Sequence, residues 1–228
     1  MYLRYFKRVL DFSISVCALI ALFPLFVVLM ILGTVFMGGN PFFVQVRPGL
    51  KENPFYLVKF RTMDNRSDES GNLLPDEVRL NKYGRFLRST SLDELPELFN
   101  IAIGDMALVG PRPQLIRDMV FMSEEQRKRH DIRPGLTGLA QISGRNNITW
   151  EEKLEYDLKY INQGVTFFGD LKIIISTIGK VLRREDIVRE GTVSDLDFGA
   201  WLLQNGSITK SEYDEKMAES IDILNMME

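Results

Sequence analysis

Only one cysteine, Cys17, and one histidine, His130, stand in a chain of 228 residues. The cysteine count excludes an internal disulfide and a thiolate metal cluster, and the histidine count argues against histidine-held zinc. An excess of cationic charge is also missing. With 28 Lys and Arg against 31 Asp and Glu, the net charge is -3 and the pI lies near 5.4, which speaks against nucleic-acid binding. Any chemistry must therefore rest on carboxylates, arginines and lysines. Hydrophobic residues at 45% suffice for one good core and a small appendage, and exclude a disordered chain.

Charge is absent altogether from Phe12 to Asn40, where Leu, Ile, Val, Phe and Ala dominate, and the run is long enough to cross a bilayer. It has no signal-peptide cleavage pattern. Two readings stand. A spanning helix would leave one cationic flank, either Arg4, Lys7 and Arg8 or Arg47, Lys51, Lys59 and Arg61, on the unfavourable side. Pro24, near the middle, removes a backbone hydrogen bond and bends a helix. A re-entrant segment that turns at Pro24 would keep both flanks in the cytoplasm, with Ser13 or Ser15 available to freed carbonyls.

Beyond the apolar run, Phe42–Arg47 and Phe55–Arg61 are rich in β-branched and aromatic residues and flank the turn-forming segment Pro48–Pro54, which predicts a β-hairpin. Lys59 and Arg61 would share one strand face. Residues 64–76 are polar and read as an exposed loop. Leu92, Leu95, Phe99 and Ala102 recur at helical spacing behind Asp93-Glu94. Ser91-x-x-Glu94 fits a capping box, although Pro96 argues for a start nearer Asp93 or Glu94. Either start sets both carboxylates near a positive helix end, which favours their ionised form. Arg85 and Arg88 before this pair, and Arg112, Arg133 and Arg145 after it, surround it in sequence, pointing to an anionic substrate.

Gly104-Asp105 predicts a helix stop, and Met106–Val109 a buried run. The prolines of Gly110-Pro111-Arg112-Pro113 hold Arg112 in a rigid loop suited to phosphate. Ser123-x-x-Gln126 caps a short helix ending near His130, a structural histidine. Residues 133–145 read as a glycine loop framed by Arg133 and Arg145 and able to approach phosphate, without matching a known nucleotide fingerprint. Thr149-x-x-Glu152 caps a helix to about Asn162, and Asp170 opens an amphipathic helix carrying Leu171, Ile174, Ile175, Ile178 and Leu182, either packed in the core or laid on a membrane with Phe167 and Phe168. Asp195–Asn205, and a second helix capped by Thr209-x-x-Glu212, predict a helical hairpin suited to interaction or oligomerisation.

These motifs together resemble the bacterial sugar transferases, specifically the small monotopic phosphoglycosyl transferases. The resemblance rests on Lys7-Arg8-x-x-Asp11, the apolar segment with Pro24, Gln45-x-Arg47-Pro48-Gly49, Lys59-Phe60-Arg61-Thr62-Met63, Ser91–Pro96, Gly104-Asp105-Met106, Val109–Pro113, Arg133–Gln141 and Gly144-Arg145-Asn146, over residues 1 to about 190. Larger family members carry further transmembrane helices and a preceding domain, not seen here. The residues from Gly206 to Lys216 resemble a short helical module appended to unrelated proteins.

The resemblance implies transfer of a sugar-1-phosphate from a UDP-sugar to polyprenol phosphate at the cytoplasmic face of the inner membrane, with release of UMP. It implies Asp93 as nucleophile and nearest residue to Mg²⁺, with Glu94 assisting. Arg88, Arg112 and Arg145 are the first candidates for phosphate contacts, and Lys59, Arg61, Arg133 and Gln141 the second. Asp157 and Asp170 are either functional or structural. The expected fold is α+β and mainly helical: a re-entrant helix-break-helix over 1–40, a catalytic domain with the hairpin and interfacial helices over 41–190, and a helical hairpin over 191–228 through which copies could associate. A membrane-anchored scaffold that binds nucleotide-sugars without catalysis is the competing class.

Overall fold

The computed structural model describes residues 1–144, 148–183 and 196–226. It is mostly helical with two small sheets. Helix α1 (Lys7–Met37) follows a short π-turn and leads into the antiparallel hairpin of β1 (Phe42–Pro48) and β2 (Pro54–Phe60), in the register Phe42↔Phe60 to Pro48↔Pro54. Then come α2 (Asp76–Arg79), α3 (Lys82–Thr90), α4 (Glu97–Ile103), β3 (Ala107–Val109), α5 (Ile116–Met119), α6 (Glu124–Arg127), β4 (Gly135–Thr137) and α7 (Leu139–Ser143). The longer α8 (Trp150–Asn162) and α9 (Phe167–Arg183) follow, and α10 (Phe198–Gln204) and α11 (Lys210–Asn225) complete the described chain.

Helix α1 runs through Pro24 as one element, so the expected break is corrected to a proline inside a continuous helix. Proline deletes a single N–H, and the turns on either side keep their own ladders. Both ends of α1 are anchored on the same body. At the start, Lys7 and Tyr2 donate to Asp170 at 2.5 and 2.9 Å, Tyr160 adds a third bond at 2.6 Å, and Arg8 donates to the carbonyls of Ile101 and Ala102 at the end of α4. At the far end, Leu29 and Met37 pack with Phe60, Tyr83 and Leu87, and Tyr83 donates to the Leu29 carbonyl. Ile20 and Phe23, around the proline, are 71% and 63% exposed.

Most of the apolar face of α9 is uncovered, although Ile174 packs against the buried cluster of Val109, Ile132, Tyr160 and Ile173. Phe168, Ile175, Ile178 and Leu182 are exposed, whereas Asp170 and Ile173 are buried. Of the two fates open to this helix, the interfacial one remains compatible with the structure.

Residues 133–144 are not a loop, because β4 pairs in parallel with β3 and α7 follows. Their glycines serve close backbone packing: a Cβ on Gly135 would lie 2.1 Å from the Gly110 nitrogen. The C-terminal hairpin folds back onto the body, where Phe198 joins Met122, Trp150 and Leu154 in a buried cluster and Tyr213 stacks on Phe121. Its two helices match the expected ones, with Asp197 and Thr209 as their caps; Asp195 lies outside the described residues.

Candidate active site

The Asp93-Glu94 pair does not open a helix in the expected way. Ser91 has a left-handed backbone (φ 55°) and ends α3, where its backbone N–H donates to the Arg88 and Leu87 carbonyls; residues Leu92–Glu94 form one tight 3-10 turn, and α4 starts after Pro96. Proline is tolerated there because the first helical N–H groups need no intrahelical partner. The later start also turns the helix: Leu98 and Ile101 are buried, whereas Phe99, assigned to the buried face by spacing, is 48% exposed. Asn100 fixes α4 to the hairpin. Its amide donates to the Tyr56 carbonyl at 2.8 Å and accepts from the Val58 N–H at 3.2 Å, which sets Lys59 beside the acidic turn.

Glu94 is held by two cations. Its Oε1 accepts from Lys59 at 3.1 Å and from Arg112 at 2.8 Å, and Lys59 also pairs with Glu97 at 2.9 Å. Burial alone would push the Glu94 carboxyl up, but Lys59 and Arg112 outweigh it and hold it well below the usual carboxylate range. Burial works against the Lys59 ammonium too, yet Glu94 and Glu97 keep it above an ordinary lysine. Asp93 differs. Among the described residues no cation forms a hydrogen bond or ion pair with it. Desolvation first, and the Glu94 charge second, raise its pKa from 3.8 to about 6. The expectation that a helix end favours ionisation of both acids is thus corrected for Asp93.

The pair opens on a cavity of about 670 Å³. The structure brings Lys59, Arg61, Arg88, Asp93, Glu94, Arg112 and Gln141 together on its wall. Arg47, Arg79, Arg117 and Lys153 add further cations, giving eight cationic against five acidic side chains in a chain of net charge -3. Such a cavity concentrates anions. Arg112 is presented by its backbone as well, since Arg129 donates to the Arg112 carbonyl at 2.6 Å while its Nε and the same nitrogen bind Asp157 at 3.0 and 2.7 Å. Burial pushes the Asp157 carboxyl up despite Arg129.

One candidate falls elsewhere. Arg133 donates to the Gly104 carbonyl at 2.7 Å and, with Arg8, satisfies the end of α4, away from the large cavity. Arg145 lies outside the described residues. Asp170 is structural, as the anchor of Lys7, and so is His130, buried behind the site with its pKa lowered to about 3 by burial and Arg129. Residues not chosen from sequence but present on the wall include Arg47, Arg79, Arg117, Trp150, Lys153 and Asp197. Arg47 sits within the quoted Gln45–Gly49 motif, so a signal for it existed; Asp197 comes from the distant tail and had none.

A family model described as bacterial sugar transferase matches residues 2–184. The chain belongs to this family. Among curated relatives, a sugar transferase of Bacillus subtilis (strain 168), EpsL, described as uncharacterized, is 52% identical over 158 residues, 69% of this chain and 78% of that protein. The UDP-glucose:undecaprenyl-phosphate glucose-1-phosphate transferase of Klebsiella pneumoniae is 39% identical over 189 residues, 77% of this chain and 40% of that protein. The exopolysaccharide production protein ExoY of Sinorhizobium fredii is 36% identical over 192 residues, 77% of this chain and 84% of that protein. The chain thus spans most of two of these family members and less than half of the third.

Proposed function

We propose that this protein transfers a sugar-1-phosphate from a UDP-sugar to a polyprenol phosphate at the cytoplasmic face of the membrane, releasing UMP, with Asp93 as nucleophile. The observation that carries the reading is the division of the acidic pair inside a cation-lined cavity: Glu94 is taken up by Lys59 and Arg112, and Asp93 is not. A pKa of about 6 leaves Asp93 mostly ionised at neutral pH yet poorly solvated, which suits a carboxylate nucleophile. The Klebsiella relative is named for an activity of this type.

In the first step an Asp93 carboxylate oxygen attacks the β-phosphorus of the donor. An Asp93–phosphorus bond forms as the bond to the oxygen bridging the two phosphates breaks, and that electron pair leaves with UMP. In the second, a phosphate oxygen of the polyprenol phosphate attacks the same phosphorus, and Asp93 departs as carboxylate. Arg88 and Arg112 would hold the phosphate oxygens between steps, and Lys59, itself paired with Glu97, would keep Glu94 in place. The donor set fits Mg²⁺. No group of three or more Asp, Glu, His or Cys could hold an ion alone among the described residues, but this ion commonly takes one or two carboxylates with substrate phosphates and water. Asp93 would provide the carboxylate. Bound there, Mg²⁺ would offset the diphosphate charge.

Re-entrant insertion of α1 belongs to the same proposal. The two ends grip one soluble body, through Asp170 at the start and Phe60 and Tyr83 at the far end, so both ends belong on the same side of the bilayer, with Ile20 and Phe23 deepest. The exposed apolar face of α9, with Phe167 and Phe168, would rest at the interface. The test is UMP release from purified protein given Mg²⁺, a panel of UDP-sugars and polyprenol phosphate. Absence of release with every donor would sink the reading.

A further inference from the structure

The cations of the large cavity match phosphate oxygens, which only accept hydrogen bonds. Two buried groups on the same wall have the opposite polarity. Asp157 is 2% exposed, and its Oδ2 takes both hydrogen bonds from Arg129 while its Oδ1 is buried with no partner among the described residues. Gln141 donates from Nε2 to the Leu136 carbonyl at 2.9 Å, which fixes its amide and leaves Oε1 as an acceptor, also buried and unpartnered among the described residues. Both residues line the cavity.

Buried acceptors without partners are costly, and native proteins rarely leave them so. Neither oxygen is placed to serve the diphosphate, because a carboxylate bound by Arg129 and an amide oxygen would each face another acceptor. Their complement is an N–H or O–H group. The wall that carries Asp157 is a stiff one: α8 presents Trp150, Lys153 and Asp157 at helical spacing towards the cavity, and the Trp150 indole is tied to the Leu196 carbonyl at 2.9 Å.

We propose that Asp157 Oδ1 and Gln141 Oε1 read the hydrogen-bond donors of the nucleotide-sugar, its N–H and O–H groups, while the arginines and lysines take its diphosphate. The assignment rests on the transferase reading above and adds to it the elements that discriminate among donors. Those donor groups occur on the nucleoside and on the sugar, and the experiment separates the two.

Asp157→Asn can keep an oxygen on Arg129 and turn an NH₂ towards the cavity, and Gln141→Met removes the second acceptor at similar length. Both are made in the full chain in a membrane mimic, checked for wild-type thermal unfolding, and assayed for UMP release and for UMP and UDP-sugar binding by calorimetry. Each variant is expected to weaken UDP-sugar affinity about tenfold, the worth of one hydrogen bond, with kcat at saturation within a few-fold and KM for polyprenol phosphate unchanged. A parallel loss of UMP affinity places the acceptors on the nucleoside; unchanged UMP affinity with an altered ranking of UDP-sugars places them on the sugar. Wild-type donor and UMP affinities in both folded variants overturn the proposal, and if Asp157→Asn does not fold, Gln141→Met decides alone. A wild type that binds UDP-sugars but releases no UMP would strike the transferase reading and leave the binding test standing.

Discussion

Asp93 and Glu94 are neighbours in the chain whose carboxyls are driven in opposite directions, Asp93 up to about 6 and Glu94 well below its ordinary value. Cations cause the split, since Lys59 and Arg112 both bind Glu94 Oε1. Attack requires ionised Asp93, so kcat/KM should fall on the acid side with an apparent pKa near 6 in the free enzyme. A pH profile of UMP release measures it, and a limb near 4 would remove the split as its explanation.

Asp93→Asn should abolish turnover without loss of stability. The sign follows from the raised pKa: the folded state binds the proton more tightly, so an ionised Asp93 penalises folding above pH 6 and not below about 3.8. At pH 8 the variant should unfold at the same or higher denaturant concentration, by on the order of 1–3 kcal/mol. The gain should vanish by pH 4. A less stable variant at pH 8 would contradict this.

Glu94→Gln removes one cause of the Asp93 shift and frees Lys59 and Arg112 to turn to it. The acid limb should move about one unit or more downwards. Stability should drop by about 3 kcal/mol, because two half-buried cations lose a partner. A limb that stays near 6 would assign the shift to burial alone.

Asp170→Asn should loosen the start of α1, since Lys7 and Asp170 are 5% and 3% exposed and two tyrosines share the same carboxylate. The expected loss is about 3 kcal/mol, against about 1 for Tyr160→Phe. Thermal unfolding and protease sensitivity near Lys7 report it. Equal effects would show that the ion pair adds little to the tyrosine bond.

The placement of α1 is testable by labelling. In a Cys17→Ser background, Arg4→Cys and Asn40→Cys should react with an impermeant maleimide from the same, cytoplasmic side of sealed vesicles. Reaction from opposite sides would establish a span.

Much of this protein was readable in order along the chain. The hairpin registered because two aromatic, β-branched runs flank a Pro/Gly turn, and the caps at Ser123, Thr149 and Thr209 registered because capping is a contact between residues three apart. The apolar run and the motif series gave the family, which the match over residues 2–184 bears out. Where two local rules competed, the tertiary structure chose. Ser91 offered a cap and Pro96 opposed it, and the helix began after the proline because Asn100 could then satisfy the hairpin edge.

Position in sequence determined which charged residues this protein has, and not which of them meet. Arg112 and Arg133 look alike as loop arginines beside prolines, yet one binds Glu94 in the cavity and the other closes the end of α4. Gln141 and Asp157 carried no sign that an oxygen of each would be left without a partner among the described residues. Periodicity fixed an apolar face on α9 without saying that it would remain uncovered. These outcomes depend on long-range packing and on the sum of charges and desolvation at one point in space, terms that local spacing does not contain.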